Sequence, residues 1–307
     1  MSAPKRVEFR AIDGVTLRGD LFMPASSGKL PIVVMTQGLT LLKEHYIADW
    51  AKRFNAAGYA ALIYDHRGWG SSDGEPRNTV NPMQQADDYH DAVIFAGNLP
   101  GIDKNRIAIW GIGHSGGASM IAAGDDPNIK AAILVMPFFS GAYDEKNFPD
   151  GMMDRVWAER ARRDLDPSAR PEYVTVWDNS EEEANAPERG QTLLHAPAAF
   201  KFISGAKALS DAAGTPWENK LLLQSFYSIA KVEPQDHIYK IAPCAVLYLA
   251  AEEDEISGPL EMQKATFARA REPKQFVQLK DLHIENYKDH LFDTNAAAQI
   301  EFLKKYV

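Results

Sequence analysis

The sequence predicts an α/β protein built on a doubly wound, mostly parallel sheet that carries an inserted, mainly helical lid. Three observations lead there. Short, wholly apolar runs alternate with helical stretches over most of the chain, as strands covered on both faces require. The opening segment instead alternates polar and apolar residues around Asp13-Gly14, the pattern of an antiparallel hairpin. Between about residues 138 and 241 the strand-helix alternation breaks down, over a stretch far longer than an ordinary crossover.

Taken in order, Val7 to Ala11 and Val15 to Phe22 are the opening strands, and Pro31 to Met35 is the first buried one. Tyr46 to Ala57 reads as a helix stopped by Gly58. Ala60 to Tyr64 is a second buried strand, Pro82 to Leu99 a helix, and Ile129 to Val135 a further strand. After the irregular stretch the sheet resumes with Cys244 to Ala250, the helix Leu260 to Ala270, the strand Gln275 to Leu279 and a terminal helix around Thr294 to Tyr306. The expected core is therefore residues 1–137 and 242–307, with residues 138–241 inserted over the carboxyl edge of the sheet.

Composition narrows the function classes. At 307 residues, with 45% hydrophobic and 24% charged content, the chain is long enough to bury a full core. A formal net charge of −9 without a basic cluster argues against nucleic acid or an anionic membrane as partner. The one cysteine, Cys244, excludes an internal disulfide and sits in an apolar run as a small buried hydrophobe. Met1-Ser-Ala-Pro-Lys-Arg6 leads into a polar-apolar alternation, and no run reaches membrane-spanning length, so a cytoplasmic protein is expected. No His or carboxylate set has the spacing of a metal site, and Gly111-x-Gly113-x-x-Gly116 overlaps only part of a dinucleotide fingerprint, so neither metal nor cofactor is expected.

The chemistry is expected at Ile107 to Met120, where an apolar strand runs into Gly113-His-Ser-Gly-Gly117 and then a small-residue helix. Gly-x-Ser-x-Gly in this context reads as a sharp strand-to-helix turn that lifts the Ser115 hydroxyl clear of the sheet as a nucleophile, with Gly113 and Gly117 relieving the crowding. His114 shapes the turn. A serine needs an imidazole base, and the imidazole needs a carboxylate, both on loops at the carboxyl ends of strands. The loop after Cys244 to Ala250 offers Glu252, Glu253, Asp254 and Glu255, and the loop after Gln275 to Leu279 offers His283, with His290 further on. The backbone N–H groups of Leu39 and Gly116 are the expected oxyanion hole. Asp65 and Arg67 are expected to lock the turn Asp65 to Gly74 by a charge-assisted pair.

These pieces carry a resemblance. Thr36-Gln-Gly-Leu39, Asp65 to Gly74, the Gly113-to-Gly117 turn, Ala251-Glu-Glu-Asp254 and His283-Ile-Glu-Asn-Tyr287 together resemble the α/β-hydrolase superfamily over almost the whole chain. Within it they are similar to the dienelactone-hydrolase-like branch and its fungal polyketide transferase and hydrolase group. The resemblance implies Asp254 as the acid and His283 as the histidine. Ala251 stands where a glycine is frequent, and Gln37 where a histidine is frequent before Gly38.

The expected activity is hydrolysis of a carboxylic ester or thioester of a hydrophobic, polyketide-like acyl group through an acyl-enzyme on Ser115. Transfer of that group from a carrier thioester to an alcohol is the alternative, and a non-catalytic receptor on the same fold is the rival from another class. The expected partner is thus a small acyl substrate, presented free or by an acyl carrier domain. In the inserted stretch Met152, Trp157, Trp177, Phe202, Trp217 and Tyr227 are the expected acyl-binding residues of the lid, because they supply more large apolar surface than a loop needs.

Overall fold

The computed structural model describes residues 3–187, 190, 192–195, 197–287 and 291–307, so His290 lies outside the described residues. Among the described residues ten strands and ten α-helices follow one another: β1 (Lys5–Arg10), β2 (Thr16–Phe22), β3 (Leu30–Thr36), α1 (Ile47–Ala56), β4 (Ala60–Tyr64), α2 (Pro82–Gly97), β5 (Ile102–Ile112) and α3 (His114–Asp125). Then come β6 (Ile129–Val135), α4 (Gly141–Lys146), α5 (Met152–Leu165), β7 (Tyr173–Val174), α6 (Glu181–Ala184) and α7 (Pro197–Ala213). The chain ends with β8 (Leu221–Leu222), α8 (Gln224–Ala230), β9 (Ala245–Glu253), α9 (Leu260–Ala268), β10 (Lys274–Leu282) and α10 (Phe292–Tyr306).

Eight strands form one sheet in the order β1-β2-β4-β3-β5-β6-β9-β10, antiparallel at β1-β2 and β2-β4 and parallel at every other pair. The apolar runs become the inner strands because both of their faces are covered. Side chains alternate between faces, so Val33 and Met35 pack with Trp50, Phe54 and Phe302, whereas Ile32 and Val34 pack with Tyr89, Val93 and Ile121. Every residue of β3 and of β4 is buried.

Residues 138–241 contain α4 to α8 and the two-residue ribbon β7-β8. Their apolar residues do not form a separate core. Met152, Val156, Phe202, Leu221 and Phe226 belong to the same cluster as Val33, Met35 and Ile133 of the sheet. The turns at Pro234–Asp236 and Ile238–Lys240 pack on α3, so the chain has rejoined the sheet's helical layer before residue 241.

The turn after β4 departs from expectation in its charges. Asp65 does not pair with Arg67. Buried at the end of β4, it accepts from the Lys43 amide (2.8 Å) and from the Ser71 amide (3.0 Å) and hydroxyl (2.9 Å). A Cβ on Gly70, at φ +48, would sit 2.4 Å from the Asp65 carboxylate. Arg67 reaches outward to Asp88 on α2, with Nε 2.8 Å from Oδ2, and to Asp13 in the hairpin. The Asp88 side chain is fully buried, so this guanidinium ties β1-β2, the turn and α2 together. Arg67→Ala strands that carboxylate and should cost about 3–5 kcal/mol in denaturant unfolding, with Arg67→Lys recovering only part because an ammonium cannot bridge both acids as a fork.

Candidate active site

Strand β5 stops at Ile112, and the next residue carries the turn: Gly113 has φ 55 and ψ −122, a conformation strained for any residue with a Cβ. Its N–H donates to Val135 O (2.9 Å), and its carbonyl accepts from Gly116 (3.0 Å) and Phe138 (2.8 Å). Close packing fixes the geometry. A Cβ on Gly111 would lie 2.3 Å from Ser115 O, one on Gly116 2.7 Å from Pro137, and one on Gly117 2.6 Å from Phe138.

The Gly-x-Ser-x-Gly reading is therefore displaced by two residues. The pentapeptide that makes the turn is Gly111-Ile-Gly113-His-Ser115, with Gly113 at its central apex and Ser115 as its small outer residue. Ser115 lies inside α3, 1% exposed, with its hydroxyl donating to the Gln37 carbonyl. With that proton committed, His66 must be the donor in the 2.6 Å contact between its Nε2 and Ser115 Oγ. His66 Nδ1 is buried without a partner among the described residues, and burial, with His114 nearby, lowers the imidazole pKa to about 3. A histidine that donates to a serine does not activate it. Gly116 is corrected too: its N–H is taken by Gly113 O, so it is no oxyanion donor. The residue after the apex is His114, whose amide, first in the helix, has no intrahelical acceptor.

The structure brings Asp254 and His283 together. Asp254 immediately follows β9, and His283 immediately follows β10, the adjacent parallel strand. The Asp254 side chain is fully buried; it accepts from the amides of Ile256 (3.0 Å) and Ser257 (2.7 Å) and faces His283 Nδ1 at 3.1 and 3.2 Å. Nδ1 thus carries the proton, and Nε2 is left to accept. Glu252 and Glu253 are the exposed end of β9. Glu255 accepts from the His283 amide (3.0 Å) and so holds that loop rather than the imidazole.

His283 Nε2 faces the glycine apex. A Cβ built on Gly113 would lie 3.7 Å from Nε2 and 3.8 Å from the Tyr287 hydroxyl. That hydroxyl would also be 3.2 Å from a Cβ on Gly38, so it borders the same space; burial and Asp254 raise its pKa and keep it a donor. The Leu39 amide has no hydrogen-bond acceptor among the described residues. Gln37 braces this turn, its side chain accepting from the Gly38 amide (2.9 Å) and donating to His45 O. Two indoles hold Thr40 next to it, Trp177 donating to the hydroxyl (2.9 Å) and Trp217 to the carbonyl (2.7 Å).

Above Gly113 opens a cavity of about 240 Å³ lined by Leu39, Gly113, His114, His283 and Tyr287, and by Phe138, Phe148, Trp177, Leu193, Phe202 and Ile229. Ser115 does not line it. Of the six expected acyl-binding residues only Trp177 and Phe202 do. Met152 is interior core, Trp217 is spent on Thr40, and Trp157, 52% exposed, packs with Tyr227 at a ring distance of 5.4 Å outside the cavity. Leu193, Phe148 and Tyr287 gave no sequence signal of their own, apart from the four-residue spacing of Tyr287 from His283.

The cavity also contains Asp144, whose carboxyl burial and the nearby Glu233 push up to about 8 from 3.8. The unfolded chain releases this proton near 3.8 and the folded protein near 8, so Asp144 lowers stability progressively as pH rises between those values. Asp144→Asn should therefore melt above wild type at pH about 8, with the difference vanishing toward pH about 4, in thermal unfolding followed by circular dichroism.

Residues 13–197 match the X-Pro dipeptidyl-peptidase (S15) family. The chain is 31% identical to polyketide transferase grgF of a Penicillium species, over 98% of this chain and 96% of that one. It is 32% identical to a thiohydrolase of Eupenicillium brefeldianum, over 98% and 92%. Among solved structures it superposes on the α/β hydrolase GrgF of Penicillium sp. sh18 with a TM-score of 0.80 at 28% identity, covering 99% of each chain. It superposes on DcsB, determined in complex with a substrate analogue, with a TM-score of 0.83 at 28% identity, covering 99% and 100%. Among the described residues no helix is long and apolar enough to cross a membrane.

Proposed function

The chain belongs to the X-Pro dipeptidyl-peptidase (S15) family of α/β hydrolases, alongside polyketide transferases and thiohydrolases, and we propose that it cleaves a hydrophobic acyl ester or thioester in the cavity above Gly113. One observation carries this reading. The buried Asp254–His283 pair presents an accepting Nε2 to the same cavity that is lined by Leu39 and His114, whose amides have no hydrogen-bond acceptor among the described residues. A carbonyl seated there has its developing oxyanion against preorganised donors, typically worth a few kcal/mol each, and a base within reach of the attacking hydroxyl. Tyr287 adds a third donor, an O–H, at that edge.

Phe138, Phe148, Trp177, Leu193, Phe202 and Ile229 make the far wall apolar, which suits an acyl chain rather than a peptide or sugar. Residues 138–241 act as the lid in this reading, with Trp177 and Phe202 as its acyl contacts. Relatives named thiohydrolase favour water as acceptor, and relatives named polyketide transferase favour transfer to another acceptor. Hydrolysis is the primary activity proposed, of a substrate delivered as a thioester, free or on an acyl carrier. The single buried cysteine fits a reducing compartment such as the cytoplasm.

Incubation with N-acetylcysteamine thioesters of short and long acyl groups, with and without a simple alcohol, tests the reading. Release of thiol with free acid is the expected product, and ester formed only in the presence of the alcohol would establish transfer. Asp254→Asn should lower kcat on the order of 10⁴-fold by leaving the imidazole in the wrong tautomer, whereas Glu252→Gln and Glu253→Gln leave it near wild type. A normal rate in Asp254→Asn would remove the pair from the chemistry.

A further inference from the structure

Resting on this reading of the site, we infer that the chain forms no acyl-enzyme: the acyl group passes directly from its leaving group to an acceptor hydroxyl that occupies the space over Gly113. Four observations converge on it. The apex of the strand-helix turn, at φ 55 and ψ −122, is a glycine. A Cβ there would stand 3.7 Å from His283 Nε2, so an oxygen or sulfur one bond further would reach hydrogen-bond distance of that nitrogen; the chain supplies no such atom. Ser115 has its hydroxyl turned to Gln37 O and His66 and does not line the cavity.

No other nucleophile among the described residues takes its place. Ser257 lies 3.4 Å from His283 Nδ1, the nitrogen already engaged by Asp254. Cys244 is buried before β9, its thiol directed at the carbonyl of Ala245 (3.6 Å). The machinery for acyl chemistry is thus complete except for the atom that would be acylated.

The space left by that missing side chain is the natural seat of the acceptor oxygen, water or an alcohol. The acceptor O–H gives its proton to His283 Nε2 as its oxygen bonds to the acyl carbon, with negative charge collecting on the carbonyl oxygen between the Leu39 and His114 amides. The carbonyl reforms, the C–S or C–O bond to the leaving group breaks, and the imidazolium returns the proton to the departing thiolate or alkoxide. Atoms and charge balance with no co-reactant. Asp254 stabilises the transient imidazolium. Acyl donor and acceptor must then be bound together, so the kinetics are sequential rather than ping-pong.

Intact-mass spectrometry on the purified protein tests this. Wild type treated with a fluorophosphonate, or quenched during a single turnover of an N-acetylcysteamine thioester, should show no adduct, and Ser115→Ala should keep its rate within about tenfold of wild type. Gly113→Ser should be labelled by the fluorophosphonate at position 113, and labelling should vanish when His283→Ala is added. Because any side chain at the apex takes up the strain of the turn, Gly113→Ala serves as the folding control. An adduct on wild-type Ser115, a loss beyond about a thousandfold in folded Ser115→Ala, or a folded Gly113→Ser that resists the probe would overturn the inference. A wild type inert toward every thioester and ester would instead defeat the proposed activity, and the labelling pattern would still decide the elbow.

Discussion

The site depends on one backbone conformation, that of Gly113. The sheet must hand its central strand to α3 within one residue, and it does so at a φ and ψ that leave the apex facing the cavity. What holds the turn is not the apex itself. Gly111 lies under the Ser115 carbonyl, Gly116 against Pro137 and Gly117 against Phe138, each too close for a Cβ. The conformation is imposed by its neighbours, and a glycine at the apex accepts it without the strain a larger residue would store. The elbow therefore stands without help from any side chain at its apex.

The charged half of the site follows from the same strand ends. Asp254 and His283 end adjacent parallel strands, so they meet without any long loop. A bulge between Leu279 and Leu282, with Asp281 at φ 60, turns the chain at the tip of β10 just before the imidazole. Burial of the Asp254 carboxylate is tolerable because two amides and the imidazole saturate it. His114 contributes only backbone: its ring stacks on Phe138 at 4.7 Å, and burial lowers its pKa to about 3, too low to move protons near neutrality.

Much of the fold was legible because burial on both faces writes itself as continuous apolar runs. Ala60 to Tyr64 and Ile129 to Val135 are observed with the expected bounds, and the acid and histidine sit one residue beyond their strands. The register of the turn differs from the sequence expectation for a local reason. Gly111-x-Gly113-x-Ser115 and Gly113-x-Ser115-x-Gly117 overlap, and which one makes the turn depends only on whether the strand ends at Ile112 or two residues later. Composition cannot settle that; packing under the Ser115 carbonyl does. The aromatic residues of 138–241 were misassigned for a similar reason. Apolar content says that a residue wants cover, not which cover it gets, and Met152 found core while Trp157 and Tyr227 covered one another.

Thr40 sits at φ 60 beside Leu39, and both of its polar groups are held by indoles of the segment that roofs the cavity. That segment and the Leu39–Thr40 turn are consequently one mechanical piece. Moving that segment as a rigid flap would pull Trp177 and Trp217 off Thr40 and disturb the turn that carries Leu39. On the proposed function, an acyl chain reaches the space over Gly113 with both indoles still bonded to Thr40.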